Sequence, residues 1–480
     1  MRVRIVVLIL TLSSIVASAT AQQPVDDSLF FRVGEVTENV TSGTNSSRHY
    51  AVYLPKGYAK SGNHPVVFLM DPRGVALRPL ELFRETAERL GYVLMSSYDT
   101  LSDADSAYVV NDDALSAMLV DAQVRFAVDP ARLYLAGFSG TAHYSWAIAA
   151  QLDGHVAGII GAGDGLSIRE PEVMATLRMT RPPVYFGTAG VEGFNYDGAR
   201  MRDLALDTTA VGHRFATFDG GHSWPPRDLA DMALSWIHLR AMRSGLIPVD
   251  SSFVDSLFAI DSRAAREMED VGLLADAARR YREIAADYQG LADVKSIRMD
   301  LGLLALKADL RHQMTRREQL SRRALLYTLE AKSFADTYRD SEEHPSQAEA
   351  VEQLRLVKLV QEAADESDPD ASAAARRMLA SAFSAFSFYE ARRYLAERDF
   401  ERAAGVLRIA LAIRPGAPFT CLQLARAEAQ LSHVDAAIEA LTCAVNSGRF
   451  GSETLASDPL LVPIRSDPRV EQLLVGVSDR

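Results

Sequence analysis

Residues 129–150 read DPARLYLAGFSGTAHYSWAIAA, a stretch in which a short apolar strand turns abruptly into an alanine-rich helix. We expect the strand over Leu133 to Ala136 and a tight turn at Ser139, flanked by Gly137 and Gly140. Small flanking residues let the strand and helix approach closely, which exposes the serine at the top of the sheet. The N–H of Gly140, at the helix N-terminus, is placed to stabilise an oxyanion. The pattern predicts Ser139 as a nucleophile; the alternative is an incidental serine in a plain strand–turn–helix.

The sequence around this stretch alternates, from Asp27 to Ser244, between short apolar runs and segments of helical periodicity. The predicted strands include Tyr50 to Leu54, Val66 to Met70, Tyr92 to Ser96, Leu133 to Ala136, Val156 to Ile160, Val184 to Phe186 and Phe215 to Phe218. Strands that alternate with helices predict crossover connections and a mainly parallel sheet. From about Ile247 the strands vanish and apolar residues recur at helical spacing. The predicted fold class is an α/β domain at 22–246 followed by an all-α domain at 247–480.

Residues 1–21 have the pattern of a secretory signal peptide. Arg2 and Arg4 precede an apolar run, and the small residues Ala19 and Ala21 end the segment. An uncleaved anchor is the alternative, although the run is shorter than the roughly 20 residues that span a bilayer. We expect an exported protein, periplasmic or secreted, whose mature chain starts near Gln22.

The composition is that of an acidic globular protein. Hydrophobic residues make up 48% and charged residues 24%, and 63 acidic against 51 basic side chains give a net charge of -12. Such a chain has no basic footprint for a phosphate backbone, so no nucleic-acid partner is expected. We see no histidine–carboxylate cluster at metal spacing and no phosphate-binding loop, and therefore expect no metal and no cofactor.

A candidate base follows later in the chain. Residues 215–226 read FATFDGGHSWPP, which places His222 in a glycine loop after a strand and before a helix. A serine nucleophile needs a histidine in such a loop to accept its proton. His213, His143 and His155 are the competitors, and their positions before strands or inside a helix indicate structural roles.

The second oxyanion donor is expected after an early strand. Residues 64–74 read HPVVFLMDPRG, a strand followed by the turn Asp71-Pro72-Arg73-Gly74. Proline has no N–H, so Arg73 is the better backbone donor beside Gly140. Asp71 and Arg73 could equally form a surface ion pair at the end of the strand.

Several motifs together resemble a secreted α/β-hydrolase of the esterase type, near the feruloyl-esterase, polyhydroxybutyrate-depolymerase and esterase D groups. They are YAVYLPKGY (50–58), PVVFLMDPRG (65–74), VDPARLYLAGFSG (128–140), PVYFGTAGVEGFNY (183–196) and FDGGHSWPP (218–226). The resemblance covers roughly Arg48 to Trp236, and the chain departs from the usual elbow pattern with Thr141 in place of the last glycine. It implies an α/β-hydrolase fold of about eight strands, ester hydrolysis, Ser139 as nucleophile and His222 as base.

The acid of the triad has more than one candidate, because the aspartate that relatives of this type often carry aligns with Gly193. Glu192 lies one residue before that position and Asp197 lies four after it. Glu192, Asp197 and the absence of a functional acid all remain open. Trp224, Phe194 and Tyr196 are candidate walls of the substrate pocket or, equally, core residues.

The helical half contains a repeat, clearest over 384–447. Matching positions such as Tyr394 and Glu428 lie 34 residues apart, which is the period of a tetratricopeptide repeat. These segments resemble that family, which implies a concave surface for a protein or peptide partner; a helical buttress is the alternative. Cys421 and Cys443 stand symmetrically about a turn, where they could form a disulfide or remain two buried small residues.

The predicted function is that of an exported serine hydrolase cleaving carboxylic esters through an acyl-enzyme. The substrate would be a small-molecule or polymer-linked ester. One alternative is a catalytically weak or inactive hydrolase scaffold that acts as a binding protein through its helical half. A serine peptidase-like hydrolase is a further alternative.

Overall fold

The computed structural model describes residues 31–102, 107–165, 167–340 and 344–478. The predicted signal peptide at 1–21 lies outside the described residues. The chain divides into two compact units. The first contains the residues up to Val191 together with Asn195–Arg316, and the second contains Glu192–Phe194 and Arg317–Arg480.

The first unit is built around a sheet whose strands alternate with helices along the chain. The strands are β1 (Val36–Thr41), β2 (His49–Tyr53), β3 (His64–Met70), β4 (Val93–Ser97), β5 (Val128–Phe138), β6 (Val156–Ala162), β7 (Val184–Gly190) and β8 (His213–Phe218). The helices are α1 (Leu77–Leu90), α2 (Ala107–Arg125), α3 (Gly140–Gln151), α4 (Pro171–Leu177), α5 (Tyr196–Leu206), α6 (Arg227–Arg243), α7 (Ser251–Asp270), α8 (Leu274–Asp287) and α9 (Lys295–Ala305), followed by the start of α10 (Ala308–Asp340).

The sheet has eight strands in the order β1-β2-β4-β3-β5-β6-β7-β8. Strand β2 is antiparallel to both of its neighbours, whereas β4, β3 and β5 to β8 pair in parallel. The predicted fold class, a mostly parallel α/β-hydrolase-type sheet followed by a helical region, is confirmed. Because β3 to β8 run in parallel, their carboxyl ends meet at one edge, where turns such as the one after β5 gather.

Both faces of the sheet are buried, which explains the uninterrupted apolar runs of its strands. On β3, Val66, Phe68 and Met70 belong to the hydrophobic cluster on one face. Val67 and Leu69 belong to the cluster on the other face. Successive side chains of a strand point to opposite faces, so a strand covered by helices on both sides needs an apolar residue at every position.

The first compact unit extends to Arg316 and so passes the predicted domain boundary at 246/247. Its later helices are tied to the sheet by buried charges. Arg214 of β8 donates to Asp261 of α7 at 3.1 Å and to Asp287 of α8 at 2.8 Å, and all three side chains are almost fully buried. The change at residue 247 from alternating strand and helix patterns to helix patterns alone therefore marks the end of the strands and does not mark the end of the compact unit.

From Arg317 onward, the described residues of the second unit form helices and the turns that connect them. After α10 it contains α11 (Gln347–Gln353), α12 (Leu356–Ala363), α13 (Pro369–Ser384), a π-helix (Ala385–Glu390), α14 (Ala391–Glu397), α15 (Phe400–Ile413), α16 (Pro418–Gln430), α17 (Val434–Asn446), α18 (Ser452–Ala456), a 3₁₀ helix (Pro459–Ile464) and α19 (Pro468–Ser478). The predicted tetratricopeptide character of 384–447 stays a prediction. None of the helices in the described ranges has the length and apolar character needed to cross a membrane.

Tyr394 and Glu428, the matching positions of the repeat, are both buried to 1% exposure. Tyr394 is uncharged and needs no ionic partner. The buried charge of Glu428 is balanced by its partners: Glu428 contacts the guanidinium of Arg408 and accepts from His433 Nδ1 at 2.9 Å. This explains how a charged residue occupies a position where the repeat favours an aromatic one.

Cys421 of α16 and Cys443 of α17 form a disulfide, with their Cα atoms 5.9 Å apart. Of the two alternatives that the sequence left open, the structure has the paired one. The bond joins the two helices of one hairpin.

Candidate active site

The turn between β5 and α3 holds Ser139 in a strained conformation, with φ 55° and ψ -121°. A non-glycine residue at positive φ costs of order 1–3 kcal/mol and persists only where the surroundings impose it. Ser139 N–H donates to Ala162 O at 2.8 Å, which anchors the turn to the neighbouring strand. A Cβ on Gly137 would lie 2.4 Å from Thr141 O, so only glycine allows strand and helix to approach this closely.

Thr141 stands where the usual elbow pattern ends in glycine, and the structure gives its hydroxyl a function. Its Oγ1 lies 2.6 Å from Met70 O on β3 and accepts the N–H of Phe138 at 3.0 Å. The side chain is fully buried. The substitution therefore fixes the turn to the adjacent strand, and the departure from the pattern does not disturb the elbow.

His222 lies opposite the serine, with Nε2 at 2.9 Å from Ser139 Oγ. Its loop follows β8 and is pressed against the end of β7, where a Cβ on Gly190 would come within 2.3 Å of Gly221 O. The imidazole packs on the ring of Phe138, with the centroids 4.6 Å apart. The structure thus brings the predicted nucleophile and the predicted base into hydrogen-bond contact.

Burial, together with the positive charges of His143 and Arg73, lowers the pKa of His222 to about 4, and burial is the largest of these causes. The ordinary value is 6.5. At neutral pH the imidazole is therefore uncharged and has a lone pair for the serine proton, as a general base requires.

The two candidate acids occupy different environments. The carboxylate of Glu192 pairs with Arg376 Nη1 at 2.6 Å, and both residues belong to the second compact unit. Among the described residues, Glu192 is paired with Arg376 and not with His222. Asp197 lies in the first turn of α5 and is buried. The identity of the triad acid stays a prediction.

The oxyanion donors differ from expectation at one of the two positions. Gly140 is the first residue of α3, so its N–H has no acceptor within the helix. The N–H of Arg73 donates to Asp71 Oδ1 at 2.9 Å. An Asx turn of this kind is common, because an aspartate side chain readily accepts from the N–H two residues on. In this conformation the Arg73 N–H is engaged and is not open to an oxyanion.

The three aromatic residues considered for the pocket lie mostly in the core. Trp224 is 3% exposed, donates to Asp71 Oδ2 at 2.8 Å and packs against Phe138. Tyr196 is buried beside Phe215, and Phe194 is half-buried in the second unit. A cleft of about 470 Å³ borders Trp224; it is lined by Leu77, Arg78, Glu81, Leu82, Trp224, Pro225 and Arg227.

The structure adds a buried group that the sequence did not single out. Asp164 follows β6 and is fully buried, with Arg202 Nη1 at 2.6 Å and His143 Nε2 at 3.0 Å. His143, assigned a structural role from the sequence, also influences the site, because its charge lowers the pKa of His222. The position of Asp164 at the carboxyl end of a predicted parallel strand was the signal that could have drawn attention to it.

Across the residues that the structure describes, no three His, Cys, Asp or Glu side chains are grouped so that they could hold a metal ion.

No family model matches the chain, and no curated protein matches it. Among solved structures, FphF, a fluorophosphonate-binding serine hydrolase of Staphylococcus aureus, is similar at 14% identity and a TM-score of 0.35, over 43% of this chain and 99% of that one. An S-formylglutathione hydrolase from Agrobacterium tumefaciens is similar at 17% identity and a TM-score of 0.33, over 42% and 93%. An esterase from Pyrobaculum calidifontis is similar at 15% identity and a TM-score of 0.34, over 44% and 88%.

Proposed function

We propose that this protein is a serine hydrolase that cleaves carboxylic esters through an acyl-enzyme. The observation that supports it is the 2.9 Å contact between His222 Nε2 and Ser139 Oγ, with the serine held at positive φ on a strand–helix elbow. A strained serine in contact with a neutral imidazole is the arrangement that activates a hydroxyl for attack on a carbonyl.

In the first half of the proposed reaction, His222 accepts the Ser139 proton as Oγ attacks the ester carbonyl. The negative charge that develops on the carbonyl oxygen is stabilised by the N–H of Gly140 and by the positive end of the α3 dipole. The imidazolium then gives its proton to the leaving alcohol, and an ester bond between Ser139 and the acyl group remains.

In the second half, water replaces the alcohol. His222 accepts a proton from the water, whose oxygen attacks the acyl carbon, and the same donors hold the second oxyanion. Collapse of this intermediate releases the carboxylic acid, and the proton on His222 returns to Ser139. Every step uses a residue of the chain and water, so no cofactor is needed in the proposal.

A catalytically weak scaffold is the second candidate, and one observation favours it. Glu192, the first-choice triad acid, is paired with Arg376. In a well-studied serine hydrolase triad, loss of the acid lowers turnover by about 10⁴. Under this candidate the helical half binds a protein or peptide partner, and the first unit turns over esters slowly or not at all.

The test joins labelling with turnover on the mature chain from Gln22. A fluorophosphonate probe should modify Ser139, as mapped by mass spectrometry, and short p-nitrophenyl esters should be hydrolysed. Ser139→Ala should lose both. Labelling without turnover would favour the weak scaffold, and absence of both would reject the serine-hydrolase proposal. Export, through the predicted signal peptide, is tested separately by fractionating cells that express the full chain.

A further inference from the structure

Asp71 is a buried carboxylate that the proposed reaction does not use. It follows β3 at the carboxyl edge of the sheet and has no exposed surface. Oδ1 accepts the backbone N–H of Arg73 at 2.9 Å, and Oδ2 accepts the indole N–H of Trp224 at 2.8 Å. The nearest cation, Arg73 Nε, is 4.0 Å away on a side chain that is 56% exposed. The carboxylate therefore depends on two N–H donors that lie far apart in the sequence.

The two donors belong to the two loops on either side of the nucleophile. Arg73 lies in the turn after β3, and Trp224 lies two residues beyond the base His222. The rings of Trp224 and His222 both pack on Phe138, with centroid distances of 5.8 Å and 4.6 Å. Phe138 directly precedes Ser139. A shift of the indole is therefore transmitted through one aromatic stack to the imidazole and to the residue beside the nucleophile.

We propose that Asp71 is a positioning residue, whose carboxylate fixes Trp224 and thereby holds His222 in register with Ser139. This inference rests on the ester hydrolysis proposed above. A carboxylate suits the task because both of its oxygens accept hydrogen bonds, whereas an asparagine in the same place would present an amide N–H₂ group to one of the two donors.

Three variants test this role with p-nitrophenyl acetate: Asp71→Asn, Trp224→Phe and the two combined. Trp224→Phe keeps an aromatic ring but removes the indole N–H. We expect kcat to fall roughly ten- to a hundredfold in each single variant, because small misplacements of a catalytic group have effects of this size. We expect KM to change less than twofold. The double variant should be little worse than either single one, since both remove the same link.

Asp129→Asn is the matched control. Asp129 is also buried, and its carboxylate accepts the N–H two residues on, from Ala131, at 2.9 Å. It lies near the amino end of β5, whereas Ser139 follows the carboxyl end of the same strand. We expect this variant to lose thermal stability and to keep kcat.

The results separate the two proposals. If the parent chain hydrolyses no ester, the proposed function fails and the role of Asp71 fails with it. If the parent is active and Trp224→Phe and Asp71→Asn lower only the melting temperature, the function stands and the positioning role is rejected. Equal losses of kcat in Asp129→Asn would also reject it. Should Asp71→Asn not fold, Trp224→Phe still decides, since a retained kcat would overturn the inference.

Discussion

At the scale of the residue, Ser139 and His222 follow from the sequence because chain order and local context select them. The serine lies between two glycines at a strand–helix turn, and the histidine lies in a glycine loop after the last strand. The engagement of the Arg73 N–H was not predicted, although an aspartate two residues before a backbone N–H often accepts from it. The triad acid could not be predicted, because the conformation of the loop at 190–197 depends on packing that spacing does not reveal.

The pKa of His222 predicts an unusual pH dependence. The base must be neutral to accept a proton, and burial lowers its pKa from 6.5 to about 4. We therefore expect kcat/KM to remain near its plateau down to about pH 5 and to fall only as the pH drops through about 4. The measurement is kcat/KM for p-nitrophenyl acetate from pH 3 to 9, with circular dichroism to show that the chain is folded at each pH.

Burial is the larger cause of this shift, and His143→Gln tests the electrostatic contribution of His143 to it. Removing a positive charge near His222 raises the pKa of His222, so the acid limb should move to higher pH. A limb centred near 6.5 in the parent chain, or an unchanged limb in the variant, would contradict the electrostatic account of the base.

At the scale of the element, close backbone approaches define where the catalytic loops lie. The end of β7 touches the histidine loop through Gly190, and β5 touches α3 through Gly137. The sequence predicted the second approach from the elbow pattern. The first was not foreseen, because Gly190 ends β7 whereas Gly220 and Gly221 lie in the loop after β8, and only the fold shows that these two strands are neighbours.

Gly190→Ala should displace the loop that carries His222. The new Cβ would lie 2.3 Å from the backbone oxygen of Gly221, which a side-chain rotation cannot relieve. We expect a loss of about 1–3 kcal/mol in the free energy of unfolding and a lower kcat. Gly302→Ala in α9 is the control, since nothing lies within 4 Å of its Cβ position. It should gain about 0.5–1 kcal/mol and leave kcat unchanged.

The disulfide makes a prediction for the helical hairpin of α16 and α17. It closes a loop between residues 22 apart in the sequence, and a bond across a loop of this size contributes about 3 kcal/mol. Cys421→Ala with Cys443→Ala should therefore lower the calorimetric transition of the second unit by several degrees. A reductant should lower it similarly in the parent chain and should have no effect on the double variant; equal transitions in all samples would contradict the prediction.

At the scale of the whole molecule, the order of strand and helix patterns along the sequence predicted an α/β region followed by a helical one, and the structure has both. The extent of the first unit was not predictable, because α7 to α9 look like the helices that follow them. Buried ion pairs link α7 and α8 to the sheet of the first unit, because Asp261 and Asp287 on these helices surround Arg214 of β8, which is 1% exposed. Ion pairs between residues so distant in sequence leave no local pattern.

Truncation tests this division. A chain of residues 22–316 should be soluble and unfold cooperatively, since it keeps both carboxylates around Arg214. A chain of residues 22–246 loses them, and breaking a buried pair costs about 3–5 kcal/mol in addition to the exposed apolar surface. We expect it to aggregate or to melt at a much lower temperature. Equal melting temperatures for the two chains would contradict the assignment of α7 to α9.

Trapping of the acyl-enzyme tests the proposed ester hydrolysis at Ser139 most directly. The chain from Gln22 to Arg480 is mixed with p-nitrophenyl acetate, quenched in acid within milliseconds to seconds, digested and analysed by mass spectrometry. We expect a single acetyl group on the peptide that contains Ser139, absent in Ser139→Ala and reduced in His222→Ala. Ester turnover with no acyl group on Ser139, or with the acyl group on another residue, would contradict it.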